Sequence, residues 1–272
     1  MHILAAEAVK IGGFDIAAFI IFMAVVIGVG LWASRHKETS EDYFLAGRTL
    51  PWWLIGVSMI AGNISTEQFI GQAGEGYMMG LAIASYEWIA AITLVIVGLY
   101  FLPKFLKAGV YTIPEFLEHR FSHSSRSLMS FYMLMATVLV AMPTVLLGGA
   151  ITLNTIFGIP TWVGIWLIAV VGGTYTMLGG LGAVVWTDLI FGLTLIIGGM
   201  VVTVVGFSEV GFMNFFEENA DKLHMFLPAE NDALPWTALL AGIWIPNFFY
   251  WGLNQYIVQR TLGAESLKEG QR

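Results

Sequence analysis

The sequence predicts an all-α polytopic membrane protein, and three observations predict it. Of 272 residues, 57% are hydrophobic and only 11% charged, less than half the ~25% charge of soluble domains. A mean hydropathy of +0.77 leaves too few charges to cover a water-facing surface, and too much apolar side chain for a disordered chain. The apolar residues fall in continuous runs of about 18 residues or more, the length that crosses a bilayer as a helix. Strands of a membrane barrel alternate over ~10 residues instead. Lastly, the positive charges sort to one side of those runs, which sets an orientation.

Seven spans follow in order. The first run, 16–33, carries no charge. It is longer than the ~7–15-residue apolar core of a signal peptide. Only Lys10 precedes it, and Ser34-Arg35-His36-Lys37 stands where a small-residue cleavage site would be, so it reads as a retained span. Residues 34–51 then form a cytoplasmic linker. The second and third runs cover 52–72 and 81–102. Between them and the next run, Thr112 followed by Pro114 and Glu115 marks the start of a short surface helix. From 127 to 187 no charge occurs, too long a stretch for one helix. Gly158-Ile159-Pro160 divides it into 128–156, which Pro143 should kink, and 162–178. Leu178-Gly179-Gly180-Leu181-Gly182 is a tight turn into the sixth run, 183–207. An acidic loop, 208–234, precedes the seventh run, 235–258, with 259–272 after it.

Orientation follows from the basic residues. With the N-terminus outside, Arg35, Lys37, Arg48, Lys104, Lys107, Arg120, Arg126, Arg260, Lys268 and Arg272 are cytoplasmic. Only Lys10 and Lys222 then lie outside. The loop 208–234, with Glu209, Glu217, Glu218, Asp221, Glu230 and Asp232, is extracellular. Trp52, Trp53, Trp162, Trp186 and Trp236 mark span ends, as interfacial tryptophans do. The protein is expected as a multi-pass component of the cell membrane.

Three places break the apolar pattern. The second span carries Gly62-Asn63-Ile64-Ser65-Thr66-Glu67-Gln68 at its centre. Gly and Asn weaken a helix, and Asn, Ser and Thr compete for backbone hydrogen bonds. Unwound backbone at that depth survives only where it lines a protein-enclosed or watery cavity. The carbonyl oxygens it frees are hard ligands suited to an alkali cation, as at the discontinuous helices of secondary transporters. An ordinary span with polar residues facing its neighbours is the alternative. Glu87, early in the third run, is either a buried acceptor for ligand hydroxyls, a proton carrier, or a headgroup-level solvated carboxylate. On the seventh run, Asn247, Tyr250 and Asn254 fall at i, i+3 and i+7 and are expected on one helical face. Amides beside an aromatic ring suit a sugar; an interfacial aromatic belt with interhelical Asn bonds suits the same pattern. Asp188 either caps its span or lies on a cytoplasmic exit path.

Other classes are argued against. The net charge is −7 with no dense basic patch, so nucleic acid is not an expected partner. There is no Cys, hence no disulfide framework and no cysteine nucleophile. The five His (His2, His36, His119, His123, His224) have no metal-ligand context. Neither a nucleophile elbow nor a phosphate-binding Gly-rich loop occurs, so no enzyme or ATP-driven pump is expected.

Three motifs carry a resemblance. They are Glu41-Asp42-Tyr43-Phe44-Leu45-Ala46-Gly47-Arg48-Thr49-Leu50-Pro51-Trp52-Trp53, Asn63-Ile64-Ser65-Thr66-Glu67-Gln68-Phe69-Ile70-Gly71, and Gly179-Gly180-Leu181-Gly182-Ala183-Val184-Val185-Trp186-Thr187-Asp188. The chain resembles the sodium/solute symporter family from residue 16 onward. Within it, the chain is most similar to the bacterial sodium/galactose transporters of the sodium/glucose cotransporter branch. The resemblance implies a LeuT-type inverted-repeat transporter fold. Residues 1–33 are then an extra N-terminal helix, 52–207 the first five-helix repeat, and 235–272 the first helix of the second repeat. The chain is expected to continue beyond Arg272 in a longer protein.

The resemblance also implies roles. The carbonyls of Ala61 and Ile64 match sodium ligands. Gln68, Glu87 and Asn247 match side chains that bond sugar hydroxyls. Tyr250 matches the aromatic under the pyranose ring, and Tyr86 and Gln72 fall at the outer gate. Three departures are Ala90 in place of a sugar-contacting Ser, Gln72 in place of a Met, and Phe191 in place of a Gln. The expected activity is sodium-coupled symport of a neutral sugar. The alternatives are sodium- or proton-coupled symport of inositol, sialic acid or an amino acid, and a non-transporting membrane sensor. An amino acid would want a cationic partner for its carboxylate, and no Lys or Arg is expected inside the membrane.

Overall fold

The computed structural model describes residues 11–33, 35 and 39–272. Expectations placed on His2, Lys10, Ser34, His36 and Lys37 lie outside these. Among the described residues every element is helical, with two isolated β-bridges, Leu50 to Ala264 and Leu227 to Pro235.

In chain order, α1 (Gly13–Ala33) fills the first apolar run. A capping box opens α2 (Ser40–Leu45): the Thr39 hydroxyl accepts from the Asp42 N–H and the Asp42 carboxylate accepts from the Thr39 N–H, at 3.1 and 2.9 Å. Then α3 (Trp52–Asn63) stops at Ile64, whose backbone is extended (φ −89, ψ 119). A wide turn, Glu67–Gln72, leads into α4 (Ala73–Met79). After Gly80, α5 (Ser85–Ile96) continues through a second wide turn, Val97–Phe101, into α6 (Leu102–Ala108). The surface helix is α7 (Ile113–Arg120), capped where the Glu115 N–H donates to the Thr112 hydroxyl at 3.3 Å. Next come α8 (His123–Ala136) and α9 (Met142–Phe157), joined by a wide turn at Thr137–Ala141. Pro143 explains that turn: it has no N–H, and its ring crowds the carbonyl four residues back, so the ladder widens just before it.

The remainder is α10 (Thr161–Val210), α11 (Phe212–Glu218), α12 (Trp236–Ala241), α13 (Trp244–Gly252), α14 (Gln255–Leu262) and α15 (Leu267–Gln271).

Four helical stretches among the described residues are long and apolar enough to cross a membrane: Gly13–Ala33, Glu67–Ala108, His123–Phe157 and Thr161–Val210. At ~1.5 Å per residue, the 50 residues of α10 would exceed two bilayer cores if straight. They are folded at Gly180 (φ 58, ψ −162), and the 42-residue stretch is folded at Gly80 (φ 79, ψ −149). These angles are adopted almost only by glycine. Neighbours also leave no room for a side chain: a Cβ at Gly180 would sit 2.5 Å from the Tyr43 carbonyl, and one at Gly80 2.1 Å from that of Lys222. The expected turn at residues 178–182 is therefore a single-residue fold.

The seventh run departs from expectation. In place of one helix over 235–258 the chain forms three short ones, interrupted at Gly242–Ile243 and again at Leu253–Asn254. Asn254 is extended (φ −70, ψ 116) and caps α14 by accepting from the Tyr256 N–H at 3.1 Å. It therefore shares no helical face with Asn247 and Tyr250. The cause lies in the sequence around it: Gly252 ends one helix, and Asn254 offers the next its cap.

Packing places the breaks together. Gly192 brings α10 against α3, where a Cβ would lie 2.9 Å from Val57 Cγ1 and 3.3 Å from Ala61 Cβ. Ala90, Val97, Trp251 and Ile257 form one buried cluster that seats α13 and α14 on α5. Leu45, Phe105, Ile113, Val258 and Leu262 form another, near the α2 and α7 end. A backbone bridge, Leu50 N–H to Gly263 carbonyl (3.0 Å) and Glu265 N–H to Leu50 carbonyl (3.2 Å), ties the approach to α3 to the exit of α14.

Candidate functional site

The break after α3 is built from diverted donors. In a continuous helix the Ser65 N–H would bond the Ala61 carbonyl, and the Gln68 N–H the Ile64 carbonyl. Here the Ser65 N–H donates to Gln68 Oε1 at 2.8 Å, and the Gln68 N–H to the Ser65 carbonyl at 3.2 Å. The Glu67 N–H donates to Ser65 Oγ at 3.1 Å, and Ser65 Oγ donates to Gln68 Oε1 at 3.0 Å. One serine and one glutamine thus occupy the amides, so Ala61 and Ile64 lose their helical donors. Such half-free carbonyls are hard, neutral oxygen ligands. Thr66 is fixed from outside, since a Cβ on Gly148 of α9 would lie 2.4 Å from Thr66 Oγ1.

Beside the break runs a cavity of about 1120 Å³. Asn63, Ile64, Gln68, Gln72 and Glu87 line it, with Trp251, Ala90 and Gly98 further along. Asn63 Nδ2 donates to Glu87 Oε2 at 3.4 Å. Glu87, in the first turn of α5, is exposed to this cavity. Amide groups and the Glu87 carboxylate therefore converge on one space with mostly apolar walls, the composition of a small-molecule site.

Other expected residues lie differently. Asn247 is buried, and its amide serves its own helix, donating to the Ile243 carbonyl at 3.0 Å and accepting from Trp251 Nε1 at 3.2 Å. Tyr250 is half-buried, edge-on to Trp251 at 5.0 Å. Tyr86 is exposed on α5, next to Glu87 but outside the cavity lining.

Asp188 belongs to a buried polar cluster. Its Oδ2 accepts from Ser58 Oγ at 2.5 Å and from Arg260 Nη2 and Nε at 2.8 and 3.3 Å. Arg260 Nε also donates to Ser58 Oγ at 2.7 Å, and Nη1 donates to the Tyr256 carbonyl. Arg260 is 2% exposed, which corrects its expected place among the free cytoplasmic charges. Tyr256, itself 52% exposed, flanks the cluster: its ring lies 4.6 Å from the guanidinium carbon, and its hydroxyl donates to the Gly62 carbonyl at 3.1 Å. Nothing in the apolar pattern singles out Tyr256, and Arg260 counts there as a cytoplasmic charge. The signal available was their i, i+4 spacing together with an unpartnered acid, Asp188, inside a span.

Comparison with known proteins follows this geometry. The model of the family described as SSF: Sodium:solute symporter family matches residues 43–271. A sodium/glucose cotransporter of Vibrio parahaemolyticus is 46% identical over 274 residues, covering 95% of this chain and 50% of the relative. Sodium/glucose cotransporter 1 of Oryctolagus cuniculus is 34% identical, with 93% of this chain and 42% of the relative covered. Among solved structures, a Na+-coupled sialic acid symporter in a substrate-bound, outward-open state superposes with a TM-score of 0.88. The identity is 27%, over 95% of this chain and 56% of that one. The chain spans about half the length of the curated relatives it matches.

Proposed function

The chain belongs to the sodium:solute symporter family, and on that premise we propose that it supplies half the pathway of a sodium-coupled symporter. The symporter carries a neutral sugar of the galactose/glucose class into the cell by alternating access. The observation that carries this reading is the break at Ile64. The carbonyls of Ala61 and Ile64 are stripped of their helical donors, and Ile64 lines a cavity together with Asn63, Gln68 and Glu87.

In this reading the carbonyls of Ala61 and Ile64 hold sodium, and sodium in turn stabilises the broken form of α3–α4. The Gln68 side-chain NH2 donates to sugar hydroxyls, and the Glu87 carboxylate accepts from them. Asn247 does the same once its intrahelical bonds give way, and Tyr250 packs on the ring. Tyr86 and Gln72 close the outer side. A sodium ion leaving along Asp188 competes there with Arg260. The driving force suffices: ~2.3 kcal/mol for one charge across ~100 mV, with ~1.4 kcal/mol for a tenfold sodium gradient, supports a sugar gradient of roughly 500-fold.

The sialic acid symporter's similarity favours a second substrate, an acidic sugar. Against it, the cationic residue lining the cavity is Arg272, which is engaged with Glu269 at 3.5 Å. Arg260 is committed to Asp188. Among the described residues, which span about half the length of the relatives, a carboxylate in the cavity meets no cation without an acidic partner, whereas a neutral polyol needs none.

The test is uptake of radiolabelled D-galactose into proteoliposomes of the full-length protein, under an inward sodium gradient and with sodium replaced by choline. The expected outcome is uptake only with sodium, competed by D-glucose and not by sialic acid or amino acids. Equal uptake in choline removes the coupling. Competition by sialic acid transfers the proposal to acidic sugars. Ligand-induced tryptophan fluorescence without any uptake supports a sensor.

A further inference from the structure

We infer that Tyr256, held by Arg260, is a positioning residue for the ion site. It takes the Gly62 carbonyl out of the ligand set and so determines which oxygens at the break face the ion. The inference rests on the sodium reading above and concerns how that site is shaped.

The N–H groups of Ser65, Glu67 and Gln68 are taken up locally by Ser65 and Gln68. The Gly62 carbonyl lies between the Ala61 and Ile64 carbonyls in sequence, and it is bonded from a different helix, by Tyr256 Oη at 3.1 Å. Deep in a membrane a carbonyl without a donor is costly, and without this bond Gly62 would offer the ion a third, competing oxygen.

Tyr256 is aimed by three further contacts. Its N–H is bound by the Asn254 cap at the second break. Its carbonyl accepts from Arg260 Nη1. The Arg260 guanidinium lies against its ring at 4.6 Å. Arg260 is itself locked by Asp188 on α10 and Ser58 on α3. The approach is close as well: a Cβ on Gly62 would come within 3.0 Å of Arg260 Nη2 and 3.2 Å of Tyr256 Oη. The second broken segment thereby dictates the carbonyl pattern of the first.

The experiment is binding of radioactive sodium to the full-length protein in proteoliposomes, wild type against Tyr256→Phe, with D-galactose KM measured at saturating sodium. Removing the hydroxyl frees the Gly62 carbonyl to join the ion's ligands, so the sodium concentration for half-saturation should fall about 2- to 10-fold, the effect of one net hydrogen bond. The galactose KM should stay unchanged. Should the phenylalanine variant fail to insert, Arg260→Lys carries the same test, because it keeps a charge opposite Asp188 but loses the planar stack on Tyr256. A variant that lowers thermal stability while its sodium half-saturation matches wild type overturns the inference. A wild-type protein that binds no sodium overturns the symport reading and this inference with it; sodium-dependent wild type with an unshifted variant overturns this inference alone.

Discussion

Asp188 and Arg260 are a buried pair, 13% and 2% exposed, whose charges have few other partners. Such a pair contributes little net stability compared with an apolar replacement, because two ions must be desolvated. Its loss on one side is a different matter, since a buried charge is then left alone. Asp188→Asn and Arg260→Gln should each destabilise the protein by about 3–5 kcal/mol. The double variant should fall well short of the sum, because neither residue remains charged. Thermal melts of the purified protein in detergent, for the wild type, both single variants and the double, measure this directly. Additive losses would mean that the two side chains do not act on each other.

At the scale of elements, α3 is held by close approach on one side and by its own ending on the other. Gly192 of α10 touches Val57 and Ala61, whereas Gly198 and Gly199 on the same helix have nothing within 4 Å of a built Cβ. Gly192→Ala should therefore push α3 outward at the level of Ala61, costing about 1–3 kcal/mol by overpacking. Gly198→Ala should be neutral or stabilise by up to ~1 kcal/mol through helix propensity. Melting temperatures of the two variants separate these outcomes. The α7–α8 hairpin is held electrostatically. Glu118 accepts from His123 Nδ1 at 2.8 Å and Arg126 Nη1 at 2.6 Å. The His123 bond first, and Arg126 next, hold its carboxyl below the usual carboxylate value. A depressed folded-state pKa stabilises above the unfolded pKa and ceases to do so as pH falls through the folded one. Glu118→Gln should thus melt slightly below wild type at neutral pH, and the two should converge as the pH falls below the ordinary glutamate range and through the depressed folded-state pKa. A constant difference across that range would remove the charge from the explanation.

For the whole molecule, lipid made most of the architecture legible. Apolar runs had to be helices, because backbone in hydrocarbon must be bonded, and the polar run from Gly62 to Gln68 was the place where one could be interrupted. The break at Ile64, the turn at Gly180 and the widened ladder before Pro143 lie where those residues put them. The second break was not legible. Its flanks, Tyr250-Trp251-Gly252-Leu253, are as apolar as a helix interior, and Asn254 at i+7 from Asn247 imitates a helical face. Nor was the depth of Arg260, because a positive charge after a span counts as cytoplasmic unless its partner is known. That partner, Asp188, is 72 residues away in sequence. Orientation still rests on charge counting, and it can be tested by cysteine labelling, since residues 1–272 contain no Cys and any cysteine beyond them is first replaced by Ser. Glu230 lies exposed in the acidic loop, and Ser124 lies exposed at the start of α8, between Arg120 and Arg126. If basic residues mark the cytoplasmic face, a charged, impermeant maleimide applied to intact cells should label Glu230→Cys at once. Ser124→Cys should react only after permeabilisation. The reverse pattern would put the N-terminus inside and turn every assigned direction of transport around, while leaving the carbonyl geometry at Ile64 untouched.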